Sequence, residues 1–498
     1  GASGSPLGRT VLQRAYASPQ GSYLTSNFPD RSLEAQHLSS YTGRGGVEAG
    51  RVVTIRNGGM GSEVRFCNPD GACTVMTVNV EVCRDDSRGR PLEAFCQAYQ
   101  DPTGTLTVYK PVGLIQRYKD KMYFGAFGYL QLGEAYATDG PGGTYNEYKD
   151  GGVLRSPVQS VANEISETGA FKLDPYGLKD ASKAIGDSGT INYLNKFGSK
   201  SQGYKYYDPV SELYAEVIKY LRHKSPTASY LPPATADPLI YDGFPIFTRW
   251  DDPAVDAKYP DKGPLSCKRN YVIGIGDTNS NFDFELSGMG AGGNPYPHNH
   301  ATPPDVDFDM AGKTAKGWTD EVGALEGLGT LSTQTISNGS YLMAGIAYYA
   351  HSSDIRPDIP GVQTVSTYWM DVLESGYQHR NQYWLAAKYG GYVKAPDAAR
   401  AFEADKDAWR AIGRKDAGRY PGNAYDLPMN YYTAGDPDSM RDGLAGAFQS
   451  IAAGSGVGAG AALSSVQVSA TSGGANTYQG SYDRSEEHTS ELQSLRHL

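Results

Sequence analysis

The sequence lacks a basic stripe. Its 498 residues carry 45 Lys and Arg against 55 Asp and Glu, a formal charge of −10, and no basic run with interleaved aromatics occurs. Nucleic acid is thereby excluded as a partner, because proteins that bind it present a basic patch or stripe. Catalytic signatures are missing too: there is no Gly-x-Ser-x-Gly, no His-Glu-x-x-His and no Cys/His nucleophile pattern, so nothing argues for an enzyme. Charge is absent between Asp442 and Asp483, which raises the question of a membrane span. Residues 454–464 are Gly, Ala and Ser rather than Leu or Ile, so this stretch reads as a flexible linker and no transmembrane span is expected.

Cysteine is scarce, five in all, and unevenly placed. Cys67 and Cys73 enclose an Asn-Pro-Asp-Gly turn, and Cys83 and Cys96 bracket another loop. No CxxC or paired His accompanies them, so they read as disulfides, Cys67–Cys73 and Cys83–Cys96, of a secreted domain rather than as zinc ligands. Cys267 is left over. The chain opens on Gly1 without a signal peptide, which reads as a cleaved or missing start. At the other end, Arg484 to Ser494 matches a translated sequencing adapter, so 484–498 is read as an artefact rather than protein.

What is present in quantity is Gly (61), Pro (29) and Tyr (37 against 14 Phe), a composition suited to extracellular modules. The length allows roughly two to four domains. Arg51 to Ile55 and Thr74 to Cys83 are rich in Val, Thr and Ile, with Asn-Gly and Asp-Gly turns between them, and predict a β-rich start. Met122 to Leu130 reads as a buried strand. In Pro209 to Leu221, Val210, Leu213, Val217 and Leu221 recur at helical spacing, with Asp208 as cap and Pro209 in the first position. Val362 to Leu373 and Tyr431 to Thr433 read as strands, Tyr383 to Tyr389 as a helix. Tyr341 to Tyr349 and Met440 to Ile451 carry helical stripes. Strands alternating with helices predict a doubly wound, mostly parallel α/β sheet. It should contain strands near 123–130, 271–276, 363–371 and 430–433, covered by helices near 209–221, 340–350 and 437–452.

The most telling stretch is Cys267 to Asn279. The apolar run Tyr271 to Gly276 shows no alternation and reads as a strand buried on both faces, ending abruptly at Asp277. Ligands of open α/β sheets sit beyond the carboxyl ends of such strands. Asp277 is therefore a candidate metal or ligand contact, with the start of a turn as the competing reading. Asp277-x-Asn279-x-Asn281-x-Asp283 alternates like a calcium loop but has no Gly at the sixth position or Glu at the twelfth, which excludes an EF-hand. Asp305-x-Asp307-x-Asp309 is a weaker version. His298 and His300 with Asp277 and Asp283 define the alternative function, a secreted metal-dependent hydrolase. Ala311-Gly312-Lys313-Thr314 mimics the end of a phosphate loop, but Asp307 stands where the first Gly belongs.

Several blocks, in order over roughly residues 50–483, resemble the PilC/PilY family of type IV pilus biogenesis and tip-associated proteins. They are Val80 to Cys83 with Pro91-Leu92-Glu93, Tyr109 to Gln116, Met122 to Leu130, Asp150 to Arg155, Pro209 to Tyr214, Cys267 to Asn279, Asp354 to Gly361 and Trp384 to Gly391. The resemblance implies a von Willebrand factor A-like domain upstream of a β-propeller. It also implies export to the periplasm, outer membrane or pilus tip, and a non-enzymatic role in pilus assembly, counter-retraction and adhesion. The implied partners are pilus subunits, minor pilins and host or abiotic surfaces. Residues 1–115 would be the β-rich, disulfide-containing region and 116–453 the A-like domain with insertions. Residues 454–483 would be a linker and the first strand of a following domain, with the propeller beyond Asp483. The implied metal site needs Asp-x-Ser-x-Ser, a later Thr or Ser, and a strand-end Asp. Asp277 matches the last and Ser211 the middle one, with Asn279 and Asp283 as weaker candidates. Gly1-Ala2-Ser3-Gly4-Ser5 has the serine spacing of the first without its Asp, so Mg²⁺ or Ca²⁺ should bind weakly, and no other cofactor is expected.

Overall fold

The computed structural model describes residues 83, 88–90, 94–100, 103–130, 151–197, 208–232, 238–281, 283–289, 306, 309–337, 339–373, 376–393, 406–416, 425–435 and 437–454. It also describes the backbone of three earlier strands, Val52–Arg56 (β1), Glu63–Cys67 (β2) and Cys73–Met76 (β3). These form an antiparallel sheet in the order β1-β2-β3, with Cys67 and Cys73 as register partners. Their side chains, and with them the expected Cys67–Cys73 bridge, lie outside the described residues. Cys96–Gln100 (β4) and Thr107–Pro111 (β5) make a hairpin, and a disulfide ties β4 to Cys83, Cα–Cα 5.6 Å. Cys267 is an exposed free thiol.

After the short helix Leu114–Tyr118 (α1) comes Phe124–Gly128 (β6), which departs from expectation. It was expected in the parallel sheet. Instead it pairs antiparallel with Val153–Gln159 (β7) in a two-stranded sheet. Its apolar Phe-Gly-Ala-Phe-Gly run carries no information on direction, and the next strand in the chain took the place beside it. The ladder slips in register around Pro157, which has no N–H to contribute. Arg155 of β7, almost wholly buried, donates from Nη2 to the Tyr129 carbonyl (2.8 Å) and from Nη1 to that of Tyr241 (3.0 Å). Thr190–Lys196 (α2) and Val210–Leu221 (α3) follow. The buried Glu212 of α3 accepts from the amides of Gly151 and Glu285, joining three distant segments.

Asn270–Gly276 (β8) begins the parallel sheet. Then come Ala315–Leu325 (α4), the two-residue strands Thr335–Ile336 (β9) and Gly339–Ser340 (β10), Leu342–Ser352 (α5) and Val365–Asp371 (β11). Gln382–Tyr389 (α6), the hairpin Arg410–Asp416 (β12) with Tyr425–Pro428 (β13), Tyr431–Thr433 (β14) and Pro437–Gly454 (α7) complete the order. The Gly-Lys-Thr that imitates a phosphate loop opens α4: Thr314 is its N-cap and accepts from the Gly317 amide, 3.2 Å.

Strands β14, β11 and β8 lie parallel in that order, Val365–Asp371 matching Asn270–Gly276 residue for residue. Alternation divides β11 between two layers. Val365 and Trp369 face a core built with α5 and α6, while Tyr368 packs with Tyr271, Ile273 and Tyr432 against Ala447 and Ile451 of α7. Helices thus cover both faces. The Trp369 ring lies across Gly274 so closely that a Cβ there would come within 1.9 Å of it, and the ring stacks on Tyr383 at 4.1 Å. A side chain on residue 274 would evict the indole.

Candidate functional site

The carboxyl end of the parallel sheet gathers acidic side chains. β8 stops at Gly276, and Asp277 folds the chain back: its Oδ1 accepts from the Asn279 amide (2.7 Å), while Tyr383 Oη donates to its carbonyl (2.5 Å). The turn is fixed from α6 as well, by Gln382 Nε2 donating to the Thr278 carbonyl and Ser280 Oγ. It is joined to the amino end of α3 through Asn281, whose amide donates to the Asp208 carbonyl (3.2 Å) and whose Nδ2 donates to Asp208 Oδ1 (2.8 Å). Asp371 ends β11 in the same layer. It is fully buried and held by Tyr431 Oη, Asn381 Nδ2 (3.2 Å) and the Leu373 amide (2.9 Å).

Ser211 and Asp283 sit deeper, both fully buried in one closed knot. Asp283 Oδ2 accepts from the Ser211 amide (3.0 Å) and Oδ1 from the Ser340 amide (2.5 Å). Ser211 Oγ lies 3.1 Å from Ser340 Oγ and accepts from the Met343 amide at 3.2 Å. This knot pins the starts of α3 and α5 to the strand-end segment. Asp277 and Asn279 are therefore half-buried at the surface of the layer, and Ser211 and Asp283 belong to its foundation. His298, His300, Asp305 and Asp307 lie outside the described residues. Asp309 Oδ1 caps a turn by accepting from the Gly312 amide.

The electrostatics follow from this crowding. Burial pushes the Asp208 carboxyl up to about 7; the bond from Asn281 opposes that, and the charges of Asp277 and Asp283 add to it. Burial also raises Asp283 and Asp371, against the hydrogen bonds each accepts. Tyr129 and Tyr383 are raised well above the usual phenol range, first by burial and then by neighbours that include Asp208, Asp277 and Asp283. Both hydroxyls stay protonated beside carboxylates. Asp208 was expected only as a helix cap, and the Asp-Pro pair carried no other signal. The helix begins at Val210 without a side-chain cap, and the Asp208 carboxylate turns to Asn281 instead.

A pH effect follows. A carboxyl raised in the folded state gives stability that is complete below the ordinary carboxylate range, near 4, and lost as the pH rises through about 7. Asp208→Asn should flatten that part of the profile, so that the urea midpoint of the wild type falls relative to the variant between pH 5 and pH 8. Parallel midpoints across that range would contradict the assignment.

Among the described residues, no group of three or more His, Cys, Asp or Glu side chains is close enough to hold a metal ion. Also among them, no helix is long and apolar enough to cross a membrane.

Fold and site together give a three-stranded parallel sheet covered by helices on both faces, among smaller antiparallel sheets, with an acidic layer at its carboxyl end. A family model described as PilY1 homolog, second domain, matches residues 142–335. The chain is 30% identical over 554 residues to a type IV pilus biogenesis factor PilY1 homolog of Xylella fastidiosa (strain Temecula1 / ATCC 700964), covering 96% of this chain and 41% of that protein. Both matches support the resemblance to the PilC/PilY family. It spans 41% of the length of the curated relative it matches. No solved structure matches it.

Proposed function

We propose that this chain is part of an exported, non-enzymatic protein of the type IV pilus. On this reading it promotes pilus assembly by countering retraction and takes part in adhesion to host or abiotic surfaces, with pilus subunits and minor pilins as partners. The observation that carries the reading is similarity along almost the whole chain to a protein named a type IV pilus biogenesis factor. The covered parallel sheet with Asp277 at a strand end supports a von Willebrand factor A-like domain.

The metal reading is narrower. Ser211 and Asp283 are engaged in buried hydrogen bonds, and at the rim stand Asp277, Asn279 and Asp208, of which Asp277 Oδ1 and Asp208 Oδ1 also accept hydrogen bonds. These fall short of the six to eight oxygens that calcium takes. They do not form a metal centre alone, and Mg²⁺ or Ca²⁺ would bind them weakly.

Deleting the gene in the source organism should reduce surface pili and attachment. The full-length gene should restore both, and its Asp277→Ala form should restore assembly with weaker attachment. Unchanged pili and attachment in the deletion strain would refute the pilus reading.

A further inference from the structure

His351, in the last turn of α5, lies between two carbonyl oxygens. Its Nδ1 is 2.9 Å from the Val365 carbonyl, at the start of β11, and its Nε2 is 2.8 Å from the Tyr392 carbonyl, just past α6. A carbonyl oxygen only accepts. A neutral imidazole has one N–H, so one of these contacts would bring a ring lone pair against an oxygen lone pair. Only the imidazolium donates to both. A helix carboxyl end also favours a cation in its last turn. The ring is half-buried, its edge against Tyr392 at 4.6 Å in a T-shaped contact.

We propose that His351 is a pH-sensitive clamp, which as imidazolium joins the end of α5 to the first residue of β11 and to the segment after α6, and releases one of the two on losing its proton. The clamp sits at the amino end of the parallel sheet, opposite the acidic layer. The two connections it holds, α5 to β11 and α6 onward, are those that build the sheet.

The surrounding groups do not offer another proton acceptor for the ring. From α5, Tyr348 reaches Tyr392 and is itself raised by burial and by Glu321 of α4. Tyr392 is held up, chiefly by burial, to about 12 and stays neutral. Asp354, three residues on, accepts from the Arg356 and Gln363 amides. β11 presents Val365, Ser366 and Thr367 there, none of them ionisable. No carboxylate among the described residues pairs with His351, so its charge is held by the carbonyls and the helix end.

The test is imidazole nitrogen NMR on the full chain with ¹⁵N-labelled histidine, titrated from pH 5 to 9. One signal should show two slowly exchanging N–H groups at the acid end of the titration and lose one as the ring gives up its proton. It should vanish in His351→Gln. If that variant does not fold, Tyr392→Leu, which keeps both carbonyls, assigns the signal by removing the ring-current shift. The folding equilibrium constant of His351→Gln should fall roughly tenfold below the wild type at pH 5.5, where a charged donor is lost, and the gap should narrow by pH 9. A His351 signal without two slowly exchanging N–H groups anywhere in the titration, or a gap that does not change with pH, overturns the clamp.

Discussion

Replacing Lys388 with alanine is expected to destabilise the fold by about 3–5 kcal/mol, because it strands a buried carboxylate. Lys388 in α6 and Glu326, just past α4, are both fully buried and hydrogen-bonded to each other. Tyr389 Oη donates to the same Glu326 oxygen at 2.8 Å, and Arg380 Nε lies 3.2 Å from the other. Three rings wall in the ammonium: Trp409 at 4.1 Å, Trp384 at 5.1 Å and Tyr389 at 5.6 Å from their centroids. Removing the ammonium takes from Glu326 its fully buried counter-charge and leaves it Tyr389 and the part-exposed Arg380. The pair itself is a weaker contributor than that loss suggests, since desolvating both ions offsets most of their attraction. The double variant Lys388→Met with Glu326→Leu should therefore recover most of the stability in guanidinium unfolding. If the double variant is as unstable as the single one, the packing of α6 rather than the stranded charge sets the cost.

The parallel strands were legible as apolar runs, but burial on both faces holds only for the central β11: β8, expected to be buried on both faces, is the edge strand, half-buried along its length with Ile275 exposed at 53%. The helices of the two covering layers were legible from their stripes, as in Met440 to Ile451 on α7. Pairing was not. Nothing in Phe124 to Gly128 records that its neighbour is Val153 to Gln159, since an apolar strand suits either direction. The hairpin of β12 and β13 was missed because Arg-Ala-Ile-Gly-Arg-Lys-Asp is half charged and interrupted by Gly, and Ile412 projects into solvent at 89% exposure. α4 was hidden by the phosphate-loop look of its cap. At the site, Asp277 was legible from the abrupt end of its strand. That Ser211 and Asp283 face inward was not, because the distance between buried and rim oxygens depends on how α3 and α5 meet the turn after β8. Asp208 was masked by its own helix-cap signature. The Lys388 cage left no local trace, since Glu326 is 62 residues away.

The second large effect should come from a single methyl group. α4 and α5 cross at Gly345, where a built Cβ would lie 2.3 Å from the Thr319 backbone nitrogen and 2.7 Å from its Cα. Backbone does not yield as a side-chain end does. Thr319 is also fixed on both sides, its Oγ1 donating to the Ala315 carbonyl at 2.8 Å and the Leu342 carbonyl at 3.3 Å. Trp318 next to it packs edge-on against Tyr348 and donates to the Met310 carbonyl. For α5 alone, alanine would be the better helix former by about 1 kcal/mol. The overlap outweighs that, because separating the helices loosens the fully buried contacts of Leu342, Met343 and Ile346 along the crossing. Gly345→Ala should therefore destabilise by about 1–3 kcal/mol, and Gly345→Val by more. Gly317, also in α4, is the control: its nearest neighbours would be Thr314 Oγ1 at 3.6 Å and Lys313 Cβ at 3.7 Å, ordinary contacts. Gly317→Ala should raise stability by about 0.5–1 kcal/mol. Denaturant unfolding of both variants reads the two signs directly. A Gly345→Ala protein at least as stable as the wild type would mean that the helices separate without loss, and that close approach at residue 345 does not hold this layer together.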